Sequence, residues 1–166
     1  MIVDLLNKKC HHPLKNGSHY IYDNHTENKP VFAEKKEKWN LEIFNNSSDV
    51  VNFFQNDGCL MTQKELKKCD WVLAFKNSFY FIEAKDVGKV ARKKVERESA
   101  KDKFNDTIPF YLEKYPCLLS MKLFVIMNFR NKRNNRVVMT GDQDRREYFK
   151  EKHKVKYSET NYLEFK

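Results

Sequence analysis

The chain has 166 residues, of which 40% are hydrophobic and 33% charged, and its formal net charge is +9. This length suggests one domain with a buried core, and no window approaches the roughly 18 apolar residues of a membrane span. Because the apolar stretch at residues 1–6 is too short for the core of a signal peptide, we expect a cytoplasmic protein with no membrane partner. The basic balance favours a polyanionic partner such as nucleic acid, although many small soluble proteins are basic for solubility alone.

The cysteines and histidines show no recognisable pairing. Four cysteines are scattered along the chain with no Cys-x-x-Cys pair, at Cys10, Cys59, Cys69 and Cys117. In a reducing compartment such cysteines stay free and partly buried, so we expect no disulfide. The histidines of the first 30 residues also lack the usual spacing of zinc ligands, and we interpret them as solvated loop residues.

The first elements follow a polar N-terminal segment. Residues 1–30 are rich in turn formers, which predicts loops around a short strand at 19–22. Residues 31–44 then place Phe32 and Trp39 on one apolar stripe at helical spacing, with charges on the opposite side. This pattern predicts a helix.

Two shorter apolar stretches come next. Residues 49–56 carry apolar side chains at helical spacing, although a strand fits them as well. The run at 59–61 follows a turn at Asp57-Gly58 and is expected to be the first strand of the sheet. The polar residues 62–68 predict a connection.

A predicted hairpin follows this connection. Two apolar runs rich in aromatic residues, at 69–75 and 79–85, flank a polar break at 76–78. Strands with such residues on either side of a short polar turn are typical of antiparallel pairs. We therefore expect two neighbouring strands in the sheet.

One end of this hairpin carries two acids and a lysine. Glu83 and Lys85 share a face, because residues i and i+2 of a strand point the same way. Asp70 opens the neighbouring strand and can reach the same patch. These groups suit a hard divalent cation and a phosphate, and the carbonyl of Ala84 can add a ligand. The alternative is an ordinary salt bridge of either acid with Lys85.

Helical patterns follow the hairpin. Residues 89–103 are strongly charged and contain no proline or glycine, which predicts a helix with a thin apolar stripe that includes Val90 and Val95. Such a charge run is usually a solvated face, with a phosphate-facing surface as the alternative. Pro109 begins a second predicted helical segment at 108–115.

The last part of the chain combines strands with a basic loop. The nearly continuous apolar run at 118–129 predicts a strand buried on both faces. A basic polar loop at 130–136 precedes a predicted strand at 137–140. An amphipathic helix at 142–153 ends the predicted elements, with its aromatic side chains facing inward. This order predicts an α/β fold with a mixed central sheet flanked by helices.

The pattern of Asp70 followed by Glu83-x-Lys85 resembles the restriction-endonuclease-like, or PD-(D/E)XK, nuclease superfamily, including small bacterial members. In that superfamily a motif acid opens one core strand, and the acid-x-lysine lies on the next. Cys69 stands where a proline often precedes the motif aspartate. The resemblance divides the single expected domain into a loop-rich N-terminal segment, a nuclease-like core, and a C-terminal strand and helix, at residues 1–30, 31–129 and 130–166.

The resemblance also implies roles for individual residues. Asp70 and Glu83 would bind Mg²⁺ or Mn²⁺, and Lys85 would be the catalytic lysine. Members of the superfamily often carry a further acid on the first core helix. Of the acids in the helix predicted at 31–44, Glu42 lies nearest the apolar face and is preferred over Glu34 and Glu37 for this further metal ligand, with Asp57 as a second possibility.

These observations predict a metal-dependent endonuclease that hydrolyses phosphodiester bonds in DNA or RNA. The alternative is a catalytically silent module of the same fold that binds nucleic acid or protein, as part of a defence or toxin-immunity system. A homodimer stays open, because many members of the superfamily pair to cut two strands. Basic residues of the charged helix and the later loop would guide the nucleic-acid backbone, namely Lys89, Arg92, Lys93, Arg130, Lys132, Arg133 and Arg136.

Overall fold

A computed structural model shows a mixed α/β protein, in which the described residues form two sheets and two long helices. A third helix, at the N-terminus, has a single turn. The structure describes residues 3–6, 9–24, 29–33, 38–86, 90–129, 136, 138–139 and 143–166.

Strands dominate the first part of the chain. Their sequences contain many Val, Ile, Phe and Tyr residues, which pack well on a pleated surface. The elements are α1 (Val3–Leu6), β1 (His11–Leu14), β2 (Gly17–Asn24), β3 (Lys29–Ala33), β4 (Leu41–Asn45) and β5 (Val51–Gln55).

The second part alternates strands with helices. A short 3₁₀ helix, Pro116–Ser120, follows the long second helix. The elements are β6 (Trp71–Phe75), β7 (Ser78–Lys85), α2 (Val90–Lys114), β8 (Lys122–Phe129), β9 (Val138–Met139), α3 (Gln143–His153), β10 (Lys156–Thr160) and β11 (Tyr162–Phe165).

The larger sheet contains the predicted hairpin. Within the described residues its strand order is β1-β5-β6-β7-β8-β10-β9, and that of the smaller sheet is β11-β4-β2-β3. β5, β6 and β7 form an antiparallel meander. α2 then connects β7 to β8, which pairs parallel to β7, and β10 pairs parallel to β8. A connection between parallel neighbours needs a crossover of this kind.

Two apolar clusters lie on the two faces of the larger sheet. One joins it to the smaller sheet and includes Ile43 and Ile82. The other joins it to the helices and includes Phe81, Phe104 of α2 and Phe149 of α3. The expectation of helices flanking the sheet is therefore confirmed for one face, while the smaller sheet covers the other.

The helix predicted over residues 31–44 is wrong. The described part of this range contains the end of β3 and most of β4. Phe32 is 42% exposed on β3, whereas Trp39 is buried before β4 and Ile43 packs between the sheets. A few apolar residues at helical spacing do not distinguish one helix from two short strands.

Other predictions for the first 61 residues are corrected in part. The strand expected at 19–22 lies inside β2, but β1 and the start of β3 also replace loops predicted over 1–30. Residues 49–56 contain β5, which is the strand alternative. The run at 59–61 is a turn that ends in an isolated bridge, not a sheet strand.

The two helical segments predicted after the hairpin form one continuous helix, α2, which runs through Pro109. Val95 is 67% exposed, so it does not belong to the buried stripe. The side chain of Val90 lies outside the described ones. Among the described side chains of the helix, residues 92–114, the buried ones are Ala100, Phe104, Thr107, Ile108 and Tyr111.

The C-terminal predictions are largely confirmed. β8 lies within the range 118–129, α3 within 142–153 and β9 within 137–140. Phe149 is buried against Phe104, as expected for the inward face of α3. β10 and β11 follow α3 as two further strands that no sequence pattern predicts.

A disulfide joins the residue before β1 to the turn between β5 and β6. Cys10 and Cys59 form this bond, with their Cα atoms 6.0 Å apart, so the expectation that they are free is wrong. Cys69 and Cys117 are free, as predicted. Because disulfides persist in oxidising compartments, the bond argues against the cytoplasmic location, which stays a prediction. No helix in the described part of the chain is long and apolar enough to cross a membrane.

Candidate active site

The β6–β7 hairpin brings Asp70 and Glu83 together. Asp70 directly precedes β6, and the first residue of that strand, Trp71, pairs with Ile82 of β7. The antiparallel register therefore places the two acids at the same level of the sheet. Asp70 Oδ2 accepts a 2.7 Å hydrogen bond from the backbone N–H of Ala84, which holds this carboxylate beside β7.

Glu83 is buried on the helical side of the sheet. Alternation along β7 puts Ile82 and Ala84 between the sheets and Phe81 under α2, so Glu83 points towards α2. Its exposed fraction is 0%; Oε2 has no hydrogen-bond partner, and Oε1 contacts only lysine ammonium groups. The ammonium of Lys85 lies 2.8 Å from Glu83 Oε1. The three residues predicted to be catalytic therefore lie in one cluster.

A second lysine completes this cluster. The Lys103 ammonium, from α2, lies 2.6 Å from Glu83 Oε1 and 3.3 Å from Asp70 Oδ1. Glu96 of the same helix lies 3.5 Å from the Lys85 ammonium. Lys103 is not among the site residues predicted from the sequence. The available signal is its spacing from the buried residues of α2, three from Ala100 and one from Phe104, which places it at the edge of the sheet-facing stripe.

Buried hydrogen bonds hold the backbone on either side of Asp70. Asn56 Nδ2 donates to the Cys69 carbonyl at 2.8 Å, and the Asn56 N–H donates to the Asp70 carbonyl at 2.9 Å. The Tyr111 hydroxyl donates to Asn56 Oδ1 at 2.8 Å. The Cys69 N–H donates to Thr107 Oγ1 at 3.0 Å. The turn after β5 and the helix α2 together therefore position the start of β6.

Burial and charge oppose each other within the cluster. Burial raises the pKa of Glu83 to about 8 and Asp70 adds to this effect, while Lys103 and Lys85 act to lower the pKa. Burial alone would lower the pKa of Lys103, but Asp70 and Glu83 more than offset it and raise that pKa overall. Lys103 therefore stays charged, and the charge of Glu83 changes near neutral pH. Burial also raises the pKa of the Cys69 thiol, which keeps it inert at neutral pH.

Glu42 does not join the cluster. It lies on β4 of the smaller sheet, and its neighbours Leu41 and Ile43 occupy the core between the sheets. Alternation therefore turns Glu42 to the outer face of the smaller sheet, while Glu83 lies on the far face of the larger sheet. Arg136 holds the Glu42 carboxylate with paired hydrogen bonds of 2.8 and 2.7 Å. The structure thus does not bring this predicted metal ligand to the two acids, because the helix expected to carry it is two strands.

The predicted nucleic-acid contacts are described only in part. Arg92 is exposed on α2, 3.9 Å from Glu96, and the Lys93 ammonium lies 5.1 Å from the centre of the Phe129 ring. Arg136 already has Glu42 as its carboxylate partner, so it is not an open phosphate contact. The remaining predicted residues, Lys89, Arg130, Lys132 and Arg133, lie outside the described residues.

The donor set of the cluster suits a hard cation such as Mg²⁺ or Mn²⁺. Glu83 has a buried oxygen, Oε2, with no hydrogen-bond partner, and Asp70 directs Oδ1 towards the same ammonium that Glu83 Oε1 contacts. In the described part of the chain no group of three His, Cys, Asp or Glu side chains is placed to hold a metal. The remaining ligands would be water and a substrate oxygen, which agrees with the waters that Mg²⁺ keeps. Ligation by the Ala84 carbonyl stays a prediction.

Comparison of the chain with protein-family models, curated proteins and solved structures gives no match. The fold and the cluster are therefore the grounds for assigning a function. Together they define a class of site in which two carboxylates and two lysines meet at the end of a strand hairpin, under a helix.

Proposed function

We propose that the protein is a Mg²⁺- or Mn²⁺-dependent endonuclease that hydrolyses phosphodiester bonds in DNA or RNA. The observation that carries this proposal is the convergence of Asp70, Glu83 and Lys85 at the end of the β6–β7 hairpin opposite its turn. Metal-assisted phosphodiester hydrolysis uses acids that hold the ion beside a group that stabilises charge, on a rigid platform. Glu83 is fully buried and its Oε2 has no hydrogen-bond partner, and a buried carboxylate is costly unless cationic groups compensate its charge.

The strand order supports the same proposal. In the superfamily that the sequence resembles, the motif acid opens one core strand and the acid-x-lysine lies on the next, and β6 and β7 have this relation. The α2 crossover to a parallel β8 places a helix over the acids. We therefore propose a restriction-endonuclease-like core whose first strand is β5, not residues 59–61.

Each residue of the cluster has a separate role in this proposal. Asp70 and Glu83 hold the cation, which when bound polarises a phosphoryl oxygen and lowers the pKa of a bound water. The Lys85 side chain is 16% exposed, so its ammonium can reach a bound phosphate and stabilise the negative charge that develops there. The Ala84 N–H keeps the Asp70 carboxylate oriented.

A polyanionic substrate fits the charge of the protein. The formal net charge is +9, and α2 presents the exposed Arg92 about three turns before Lys103 along the helix that covers the acids. Phosphate contacts of this kind give affinity without sequence information and weaken with salt. We therefore propose nucleic acid as the partner, and this proposal covers both DNA and RNA.

The test is incubation of the protein with duplex DNA, single-stranded DNA and RNA, each with Mg²⁺, Mn²⁺ or EDTA. We expect a cation to be required for cleavage of at least one substrate. Glu83→Gln should abolish cleavage and leave the circular dichroism spectrum unchanged. Glu151→Gln changes an exposed acid of α3 and should cut like the wild type. Cleavage in EDTA, or full activity in Glu83→Gln, would contradict the proposal.

The second candidate is a catalytically silent module that binds nucleic acid without cutting it. The position of Lys103 favours this candidate. Its ammonium already lies within 3.3 Å of both acids, in the place that a metal ion would take. Such a module would bind nucleic acid equally well in Mg²⁺ and EDTA, and Lys85→Ala would leave its affinity unchanged. Electrophoretic mobility shifts under both conditions separate the two candidates.

A further inference from the structure

The ammonium of Lys103 lies between the two acids of the hairpin. Its Nζ is 2.6 Å from Glu83 Oε1 and 3.3 Å from Asp70 Oδ1, so one cationic group contacts both carboxylates. Lys85 is arranged differently, since its ammonium contacts Glu83 and Glu96. Lys103 is therefore the lysine that stands where a shared cation would bind.

The surroundings of Lys103 allow the side chain to leave while the acids stay. The backbone of Lys103 is fixed on α2 beside the buried residues Phe104 and Thr107. Its side chain is 22% exposed, which gives the ammonium a path to solvent, whereas Glu83 is fully buried. A lysine head on a flexible four-carbon stem can take such a path without any movement of the helix.

We infer that Lys103 and the divalent cation compete for one position between Asp70 and Glu83, so that the cation binds only when the Lys103 ammonium withdraws. The inference rests on the proposed function, because it concerns the same two acids. Two cations that share the same carboxylate oxygens repel each other strongly in a buried site. Lys103 is thus a positioning residue, which occupies the place between the acids in the absence of the cation and sets the concentration at which the cation binds.

Isothermal titration of Mn²⁺ into wild-type protein and Lys103→Met tests this inference. Methionine keeps an unbranched apolar stem and removes the charge. We expect Lys103→Met to bind Mn²⁺ at least about tenfold more tightly than the wild type, since a competing charge is removed from the ligands. Lys94→Met changes an exposed lysine of the same helix and should match the wild type.

The outcomes separate the inference from the proposed function. Equal or weaker binding by Lys103→Met, with clear binding by the wild type, would overturn the inference and leave the metal-dependent function standing. Binding by Lys103→Met alone would support the inference and would overturn metal dependence in the wild type. Binding by neither protein would overturn both, because the acids would then hold no cation even when the lysine is removed.

A second variant tests the inference if Lys103→Met does not fold. Lys103→Gln removes the charge but keeps an amide that can donate to Asp70 or Glu83, so it preserves hydrogen bonding to the buried acids. Circular dichroism checks that each variant is folded before titration. Lys103→Gln should also bind Mn²⁺ more tightly than the wild type, and wild-type affinity in this folded variant would overturn the inference.

Discussion

The site depends most on the ionisation of Glu83. An unfolded chain ionises this residue near its ordinary pKa of 4.5, whereas the folded protein retains the proton to about pH 8. Between these values the unfolded state binds fewer protons than the folded state. The free energy of unfolding therefore falls as the pH rises through this window and stops falling above it.

We predict that replacement of Glu83 by glutamine removes this loss of stability. In EDTA the free energy of unfolding of Glu83→Gln should exceed that of the wild type increasingly between pH 4.5 and about 8. The difference gained across the window should be on the order of a few kcal/mol. Urea denaturation at several pH values measures it.

Glu151→Gln is the control for this series and should follow the wild type, because Glu151 is exposed on α3. A difference between Glu83→Gln and the wild type that stays constant over the window would contradict the raised pKa. It would mean that Lys103 and Lys85 stabilise the Glu83 carboxylate enough to cancel the effect of burial.

Lys85 should act on the reaction and not on cation binding. We predict that Lys85→Met lowers the single-turnover rate of cleavage about a hundredfold or more, because it removes a charge that stabilises the transition state. The affinity for Mn²⁺ should not fall, since the ammonium is not a ligand. Loss of Mn²⁺ binding in this variant would show instead that Lys85 holds the acids in place.

At the scale of elements, the turn after β5 positions the acid that opens β6. The Asn56 carbonyl accepts three N–H bonds of 3.0–3.2 Å from the turn that follows it. The side chain of Asn56 joins the Cys69 carbonyl to the Tyr111 hydroxyl of α2. The turn, β6 and α2 thus form one hydrogen-bonded unit around the backbone of Asp70.

We predict that Asn56→Ala destabilises the protein more than Tyr111→Phe does. The alanine leaves the Cys69 carbonyl and the Tyr111 hydroxyl without this partner, at about 1–3 kcal/mol for each unsatisfied buried group. The phenylalanine removes only one of the two bonds. Denaturant unfolding compares both with Asn46→Ala, an exposed control. An Asn56→Ala variant as stable as this control would rule out the supporting role.

The same scale shows which elements the sequence can predict. β6 and β7 are predictable because each is an apolar run rich in aromatic residues and the turn between them is polar. Alternation along the predicted strand β7 then puts Glu83 and Lys85 on one face. Residues 31–44 are not predictable in this way, since Phe32 and Ile43 fit a helix as well as they fit two strands. Pairing of β3 and β4 with β2 makes these residues strands and not a helix.

The features that the sequence does not predict, Lys103 in the site and β10 in the sheet, depend on contacts between distant elements. Lys103 lies in a long charged run, and only the packing of α2 over β7 distinguishes it from its solvated neighbours. β10, with the sequence Lys-Tyr-Ser-Glu-Thr, is polar in composition and becomes a strand through parallel pairing with β8. Local spacing and composition alone do not fix either arrangement.

At the scale of the whole molecule, the disulfide links the N-terminal edge of the larger sheet to the turn that supports Asp70. Cys10 and Cys59 are 49 residues apart in sequence. Closing a loop of this length restricts the unfolded chain, and the chain-entropy relation gives about 4 kcal/mol for it. The link therefore stabilises the fold around the acid cluster.

We predict that Cys10→Ser lowers the free energy of unfolding by about 2–4 kcal/mol under non-reducing conditions. Cys117→Ser changes an exposed free thiol and should have little effect. Thiol titration of the denatured wild type should find two reactive cysteines before reduction and four after it. Four reactive cysteines before reduction would contradict the disulfide.

The most direct test of the cation site is a crystal of the wild-type protein soaked in Mn²⁺ and measured at the manganese absorption edge. We predict an anomalous difference peak in contact with the carboxylates of Asp70 and Glu83, with the Lys103 ammonium displaced from its place between them. A saturated crystal with no peak at the two acids, and with Lys103 still bound to both, would contradict the proposed metal-dependent centre.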